Sequence, residues 1–260
     1  MAGSQHSKLQ SDVELIYEIW KEELLHDCQS EPKKYHQLSP PLLLQITKDY
    51  FDSSTKIMMI GQETFGWSWG SDLAEKYPAY PNPWPFDDDI VSLYDFLKIP
   101  NAVTALCWAY KSFDFAKYQP LTKRSFWWQA FREIQNWENA CLMWTNLGRF
   151  DFDGASILEA PNAIKTELIK YSANLIASEI RLLNPSICLF FTGPNYDALI
   201  AAAYPGALFL EIDNQTPVRK FAKIQHKNLP ELTFRTYHPA YLSRAGIWGN
   251  IESIRQMSLR

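Results

Sequence analysis

Three short apolar runs, Lys56-Ile-Met-Met-Ile60, Asn139-Ala-Cys-Leu-Met-Trp-Thr145 and Ile187-Cys-Leu-Phe-Phe-Thr192, constrain the fold of this chain more than any other feature. None alternates apolar with polar residues, so each reads as a strand buried on both faces. Strands of that kind need helices above and below them, which implies a mainly parallel central sheet. The sequence between the runs is suited to supplying those helices. Ser11-Asp-Val-Glu14 has the form of a capping box, and Val13, Ile16, Ile19 and Trp20 keep helical spacing, which predicts a helix over 12–27. Pro40 and Pro41 predict the opening of a second helix, running to about Tyr50. Further helices are expected over 88–98, 101–112, 122–136, 162–183, 195–203 and 249–258, with strands near 207–212, 218–224 and 232–237. With no internal repeat and no boundary in composition, residues 1–260 are expected to form one three-layer α/β/α domain, its N-terminal helices over 11–50 packed on it.

No run of about 18 apolar residues exists and the start of the chain is polar, so neither a membrane helix nor a signal peptide is expected. Cys28, Cys107, Cys141 and Cys188 are widely spaced, with no CxxC pair. That suits buried thiols in a reducing cytoplasm better than disulfides or a zinc site, and no metal or cofactor is expected. A net charge of −4 argues against a general nucleic-acid coat. The charge is uneven, however: residues 201–260 carry 8 Lys and Arg against 4 Asp and Glu. A basic face on an acidic protein can bind phosphate locally, although a merely solvated face is an equal reading. Ten Trp, thirteen Tyr and fifteen Phe exceed ordinary packing needs and suit stacking on flat ligands, while core filling accounts for most of them.

Ligands of parallel α/β sheets bind beyond the carboxyl ends of the strands. Three such ends carry polar sequence here: Gly61-Gln-Glu-Thr-Phe-Gly-Trp67, Asn146-Leu-Gly-Arg149 and His238-Pro-Ala-Tyr-Leu-Ser-Arg244. Singly, each is ordinary turn chemistry. Together, and in this order, they resemble the motifs of the uracil-DNA glycosylase superfamily. GQETFGW resembles that family's turn after the first strand, MWTNLGR the strand whose terminal Asn reads the base, and HPAYLSR its His-Pro-Ser/Ala-x-Leu block. Asn184-Pro-Ser-Ile-Cys-Leu-Phe-Phe-Thr-Gly193 is similar to its penultimate parallel strand. Thr64 stands where the motif has proline, and Glu63 stands where the Asp-Pro-Tyr version has aspartate.

The resemblance implies a monofunctional DNA glycosylase that hydrolyses the N-glycosidic bond of uracil, or of a modified pyrimidine, flipped out of single- or double-stranded DNA. It implies that Glu63 orients water or stabilises the cationic sugar, and that a neutral His238 donates to the departing base. Base binding falls to Gln62, Phe65, Phe86 and Asn146. Leu242 becomes a wedge filling the gap left by the flipped base, and Ala240, Ser243, Arg244, Arg219, Lys220 and Lys223 become DNA contacts. No lysine lies in the motifs to form a Schiff base, so lyase chemistry is not expected. The proline-rich stretch Tyr77–Phe86 is expected to be a stiff loop that reshapes the pocket. A monomer in the cytoplasm is expected, with no membrane partner. Two other readings stay open: a catalytically silent DNA-binding protein of the same fold, and a hydrolase of free nucleosides.

Overall fold

The computed structural model describes residues 2–28, 32–64, 66, 68–70, 84–112 and 123–258. Six strands form one sheet in the order β2-β1-β3-β6-β5-β4: β1 (Thr55–Gly61), β2 (Ala140–Asn146), β3 (Ile187–Phe190), β4 (Leu208–Leu210), β5 (Phe221–Gln225) and β6 (Leu232–Thr236). The first four strands in that order are mutually parallel, while β5 and β4 complete an antiparallel edge. The sheet is therefore mixed and mostly parallel, as its apolar runs predict.

Side chains leave the parallel strands alternately to two apolar clusters. Met58, Ile60, Met143, Cys188 and Phe190 join one, where they meet α1 (Ala2–Cys28), α4 (Ala102–Ser112) and α6 (Asn162–Leu183). Ile57, Met59, Leu142, Ile187 and Leu189 join the other, against α5 (Phe126–Gln135), α8 (Pro239–Arg244) and α9 (Asn250–Ser258). Both faces are thus covered by helices, which is why the strands carry no polar alternation. No helix among the described residues is long and apolar enough to cross a membrane.

Several local expectations fail for identifiable reasons. Helix α1 begins nine residues before Ser11, whose hydroxyl donates to Ser7 O inside the helix, while Glu14 accepts from Gln10. The apparent capping box is ordinary four-residue spacing in a helix interior. Pro40 and Pro41 open no helix either. Residues 39–47 run without regular structure because Leu42, Leu43 and Leu44 are all buried, and three consecutive buried side chains exceed what one helix face can cover. Leu44 N and Ile46 N are satisfied instead by Tyr17 Oη and Gln10 Oε1. Only the short α2 (Lys48–Asp52) follows, capped by Thr47. A true capping box, Ser92 with Asp95, starts α3 (Leu93–Lys98) five residues later than the expected start at 88. The short helices α7 (Asp197–Ala203) and α8 flank the sheet's carboxyl end.

Candidate functional site

The ends of β1 and β2 lie side by side because Gly61 and Asn146 are register partners. Leu147 N and Gly148 N continue the pairing onto Gly61 O and Gln62 O, at 2.9 and 2.7 Å. On the other side, Phe191 N bonds Ile60 O, and Gly193 N bonds Thr236 O at the end of β6. These bonds bring the three polar strand-end motifs to one cavity of about 780 Å³, lined by Gln62, Glu63, Asn146 and His238 among others.

Gly61 is what permits the closest approach there. A Cβ on it would sit 2.5 Å from Asn146 Oδ1 and 3.0 Å from the Trp127 ring. Asn146 is 8% exposed, and its amide makes no hydrogen bond to any described residue. Its polar atoms face the cavity and are not shut away from solvent, so the missing protein partners leave them open. Here its donor and acceptor line the cavity and are available to a ligand edge.

Glu63 is held from both sides. Its Oε2 accepts from Ile157 N at 2.9 Å, and its Oε1 accepts from the Tyr196 hydroxyl. The chain of donors continues: Ser156 Oγ lies 3.0 Å from Tyr196 Oη and itself accepts from Leu158 N. Burial pushes the Glu63 carboxyl above the usual carboxylate range, against the opposing pull of the Tyr196 and Ile157 donors. Burial, then the Glu63 charge, pushes the Tyr196 hydroxyl upward in turn.

His238 caps α8, its Nδ1 accepting from Ala240 N at 3.3 Å. That bond places the ring proton on Nε2 in the neutral form. Burial, helped by the Arg244 guanidinium, pushes the imidazole down to about 4, so at neutral pH the ring is an uncharged Nε2–H donor. Trp127 stacks on it at 5.8 Å and 12°.

The remaining expected residues divide sharply. Gln62 lines the cavity, but its Nε2 is committed to Thr192 O at 2.9 Å. Phe65, and the proline-rich loop as far as Pro83, lie outside the described residues. Phe86 packs against Trp84 and Trp108, at 4.9 and 6.0 Å, in an aromatic cluster beside α4 and not on the cavity wall. Leu242 is 0% exposed within the apolar cluster of α5 and α9, so it is a core residue and not a surface wedge. Helical periodicity is the reason: Leu242 faces the sheet, while Tyr241 beside it is 42% exposed. Ala240 and Ser243 are half-buried on α8 and Arg244 is exposed at its end. Arg219 and Lys220 are exposed beside the end of β6, where their carbonyls accept from Arg235 and Thr236. Lys223 departs from them: it pairs with Glu231 at 3.6 Å and lines a separate surface hollow.

Sequence reasoning missed the aromatic wall, made by Trp127, Trp128 and Trp144. It also missed Tyr196 and Ser156. The Trp127-Trp128 pair was visible as a double tryptophan in a helix, and Tyr196 follows the fourth strand end, Thr192-Gly193, which also points at the cavity. Among the described residues, no group of three His, Cys, Asp or Glu side chains is placed to hold a metal ion. Comparison with protein-family models, curated proteins and solved structures finds no match.

Proposed function

We propose that this chain is a DNA glycosylase of the uracil-DNA glycosylase type, which takes a flipped nucleotide into the strand-end cavity. One observation carries the reading: a carboxylate, an unpartnered amide and a neutral imidazole donor line a single tryptophan-walled cavity beyond the ends of parallel strands. These are the groups that N-glycoside hydrolysis needs. In this reading Asn146 reads the base edge, offering a donor and an acceptor together, and a tryptophan wall suits a flat ring. The C1′–N bond breaks with its electron pair leaving on the base, and His238 Nε2–H donates to that developing anion. Glu63 stabilises the cationic sugar, or takes the proton of the water that adds at C1′. The base is uracil or a modified pyrimidine.

A second reading, a silent DNA-binding protein, is favoured by one feature: both Glu63 oxygens already accept protein hydrogen bonds. A carboxylate has about four acceptor positions, so these two bonds leave room for water. The separating experiment presents a panel of oligonucleotides bearing different bases and scores abasic sites. The glycosylase reading expects abasic sites with at least one base and their loss in Glu63→Gln. Binding without scission across the panel would replace it with the silent binder. Hydrolysis confined to free nucleosides would replace it with a nucleoside hydrolase.

A further inference from the structure

We infer that the rim beside this cavity is a stacking platform for an unpaired nucleobase, and that the substrate strand is therefore single-stranded. The inference rests on the DNA reading above and adds the class of DNA. Its centre is a pair of stacked tyrosines, Tyr237 and Tyr241, with ring centroids 4.1 Å apart and planes inclined by 30°. Tyr237 is half-buried against Gly193, whose missing side chain makes the space: a Cβ there would lie 3.1 Å from Tyr237 Cδ1, and its φ of +74° is one that only glycine adopts freely. Tyr241 stands on top, 42% exposed. Its rear face is covered by Tyr237, so its ring is held before any ligand arrives and little rotamer freedom remains to be lost. Tyr241 N donates to His238 O at 2.8 Å, so the platform lies within one helical turn of the cavity's imidazole.

One cation lies on the platform's own helix. Arg244 is three residues from Tyr241, on the same side of α8, and close enough to His238 to disfavour its protonation. The backbones of Arg219 and Lys220 lie against Arg235 and Thr236 at the end of β6, and the Arg219 charge acts on Asp197. Among the described residues none of these three has an ion-pair partner, unlike Arg149, Arg235 and Lys223. An aromatic face with an unpaired cation on the same helix is the chemistry of single-strand binding, where a base stacks and its phosphates are held without reference to sequence. A base inside a duplex has both faces covered by its neighbours. The residue that would have pried such a stack apart, Leu242, is instead locked in the core. The rim thus offers a ring surface for a base already free, and Leu242 supplies no wedge for freeing one.

The test measures binding of the full chain to a fluorescent single strand of about 15 nucleotides, the scale of such sites, and to the same sequence as a duplex. A 2-aminopurine placed beside the target base reports stacking by its quenching. The single strand should bind at least about tenfold more tightly than the duplex. Tyr241→Ala should weaken single-strand binding by roughly 10- to 100-fold, the usual scale for one stacked base. It should also abolish the quenching, while leaving duplex binding and thermal stability as in the wild type. Tyr241→Phe, which keeps the ring, should retain both. Tighter binding to duplex, or a Tyr241→Ala protein that binds and quenches like the wild type, would overturn the platform alone. Failure to bind DNA of either kind would overturn the platform together with the glycosylase reading beneath it.

Discussion

Asn146 and Arg149 stand three residues apart at the end of β2, are both buried, and are treated by the fold in opposite ways. Arg149 is 0% exposed and both its terminal nitrogens are paired: Glu179 takes its guanidinium, while Leu42 O and Thr145 Oγ1 accept from Nη1 at 3.2 and 2.9 Å, and its Nε alone has no partner among the described residues. Tyr17 then donates to Glu179 at 2.7 Å. Asn146 is nearly as buried and has no partner at all among the described residues. The first arrangement is what a polar group in a core requires if it is only to hold structure. The second leaves the amide's donor and acceptor on the cavity wall, open to the edge of a ligand. The difference separates scaffold from site within one motif.

The comparison breaks most visibly at Arg149. Arg149→Ala strands the Glu179 carboxylate in an apolar interior, where burial already pushes it above the usual range. The expected loss is about 3–5 kcal/mol, on the order of 10 °C in Tm for a chain of this size. Replacing both partners, Arg149→Met with Glu179→Leu, should recover much of it, because the charge to be paired is then gone. Thermal unfolding of the three proteins checks this, and a loss under about 1 kcal/mol in the single variant would mean the pair is not what secures β2.

His238 extends the comparison to pH. Its pKa is about 4 in the fold, below the ordinary imidazole value of 6.5 that holds in the unfolded chain. Between those values the unfolded chain binds the extra proton, so stability falls as pH drops from 6.5 towards 4. The fall from this group approaches roughly 3 kcal/mol at the low end. His238→Gln should flatten that part of the profile in denaturant titrations. An unchanged slope would show that the fold does not displace the His238 pKa.

What the sequence discloses follows the same division. Runs such as Ile57–Ile60 are legible because a strand buried on both faces has no other composition available. Glu63, Asn146 and His238 are legible because three polar motifs follow the ends of such strands in one order, although each alone is ordinary turn chemistry. Helix faces are less legible. Whether Leu242 or Tyr241 points outward depends on the rotation of α8, which starts at Pro239 and is too short for its pattern to declare. Tyr196 and the tryptophans are hard to single out among so many aromatic residues, where a double tryptophan and a residue after a strand end are the only signals they carry. Ser11 and Glu14 misled because helix-interior spacing and a capping box are identical on paper.

Tyr196 offers a smaller effect that sharpens the assignment of Glu63. On a substrate the protein cleaves, Glu63→Gln should slow single-turnover cleavage by about 10². Tyr196→Phe keeps the ring but removes the hydroxyl that donates to the carboxylate, and a reduction of roughly tenfold or less is expected. The pH profile carries the sign. The Tyr196 donor lowers the Glu63 pKa, so its removal raises it, and the acid limb of the rate profile should move to higher pH. The deficit should therefore be larger near pH 6 than near pH 8. A deficit constant across pH would make Tyr196 part of the wall and nothing more.

The smallest expected effect is the most discriminating. Asn146→Ala removes a buried amide that bonds to nothing in the free protein. Its loss breaks no protein hydrogen bond and only widens a cavity that is already open, so stability should change by less than about 0.5 kcal/mol in denaturant unfolding. Ligand binding should nevertheless be lost or become indifferent to the base. Asn146→Asp keeps the size, exchanges the amide donor for acceptors, and should redirect the preference among bases without abolishing binding. If Asn146→Ala instead costs as much as Arg149→Ala, the amide is integral to the scaffold and the division between site and scaffold at the end of β2 fails. A stable protein with normal base selectivity would place recognition on Gln62 Oε1, the remaining cavity-lining amide oxygen, whose Nε2 is already committed to Thr192.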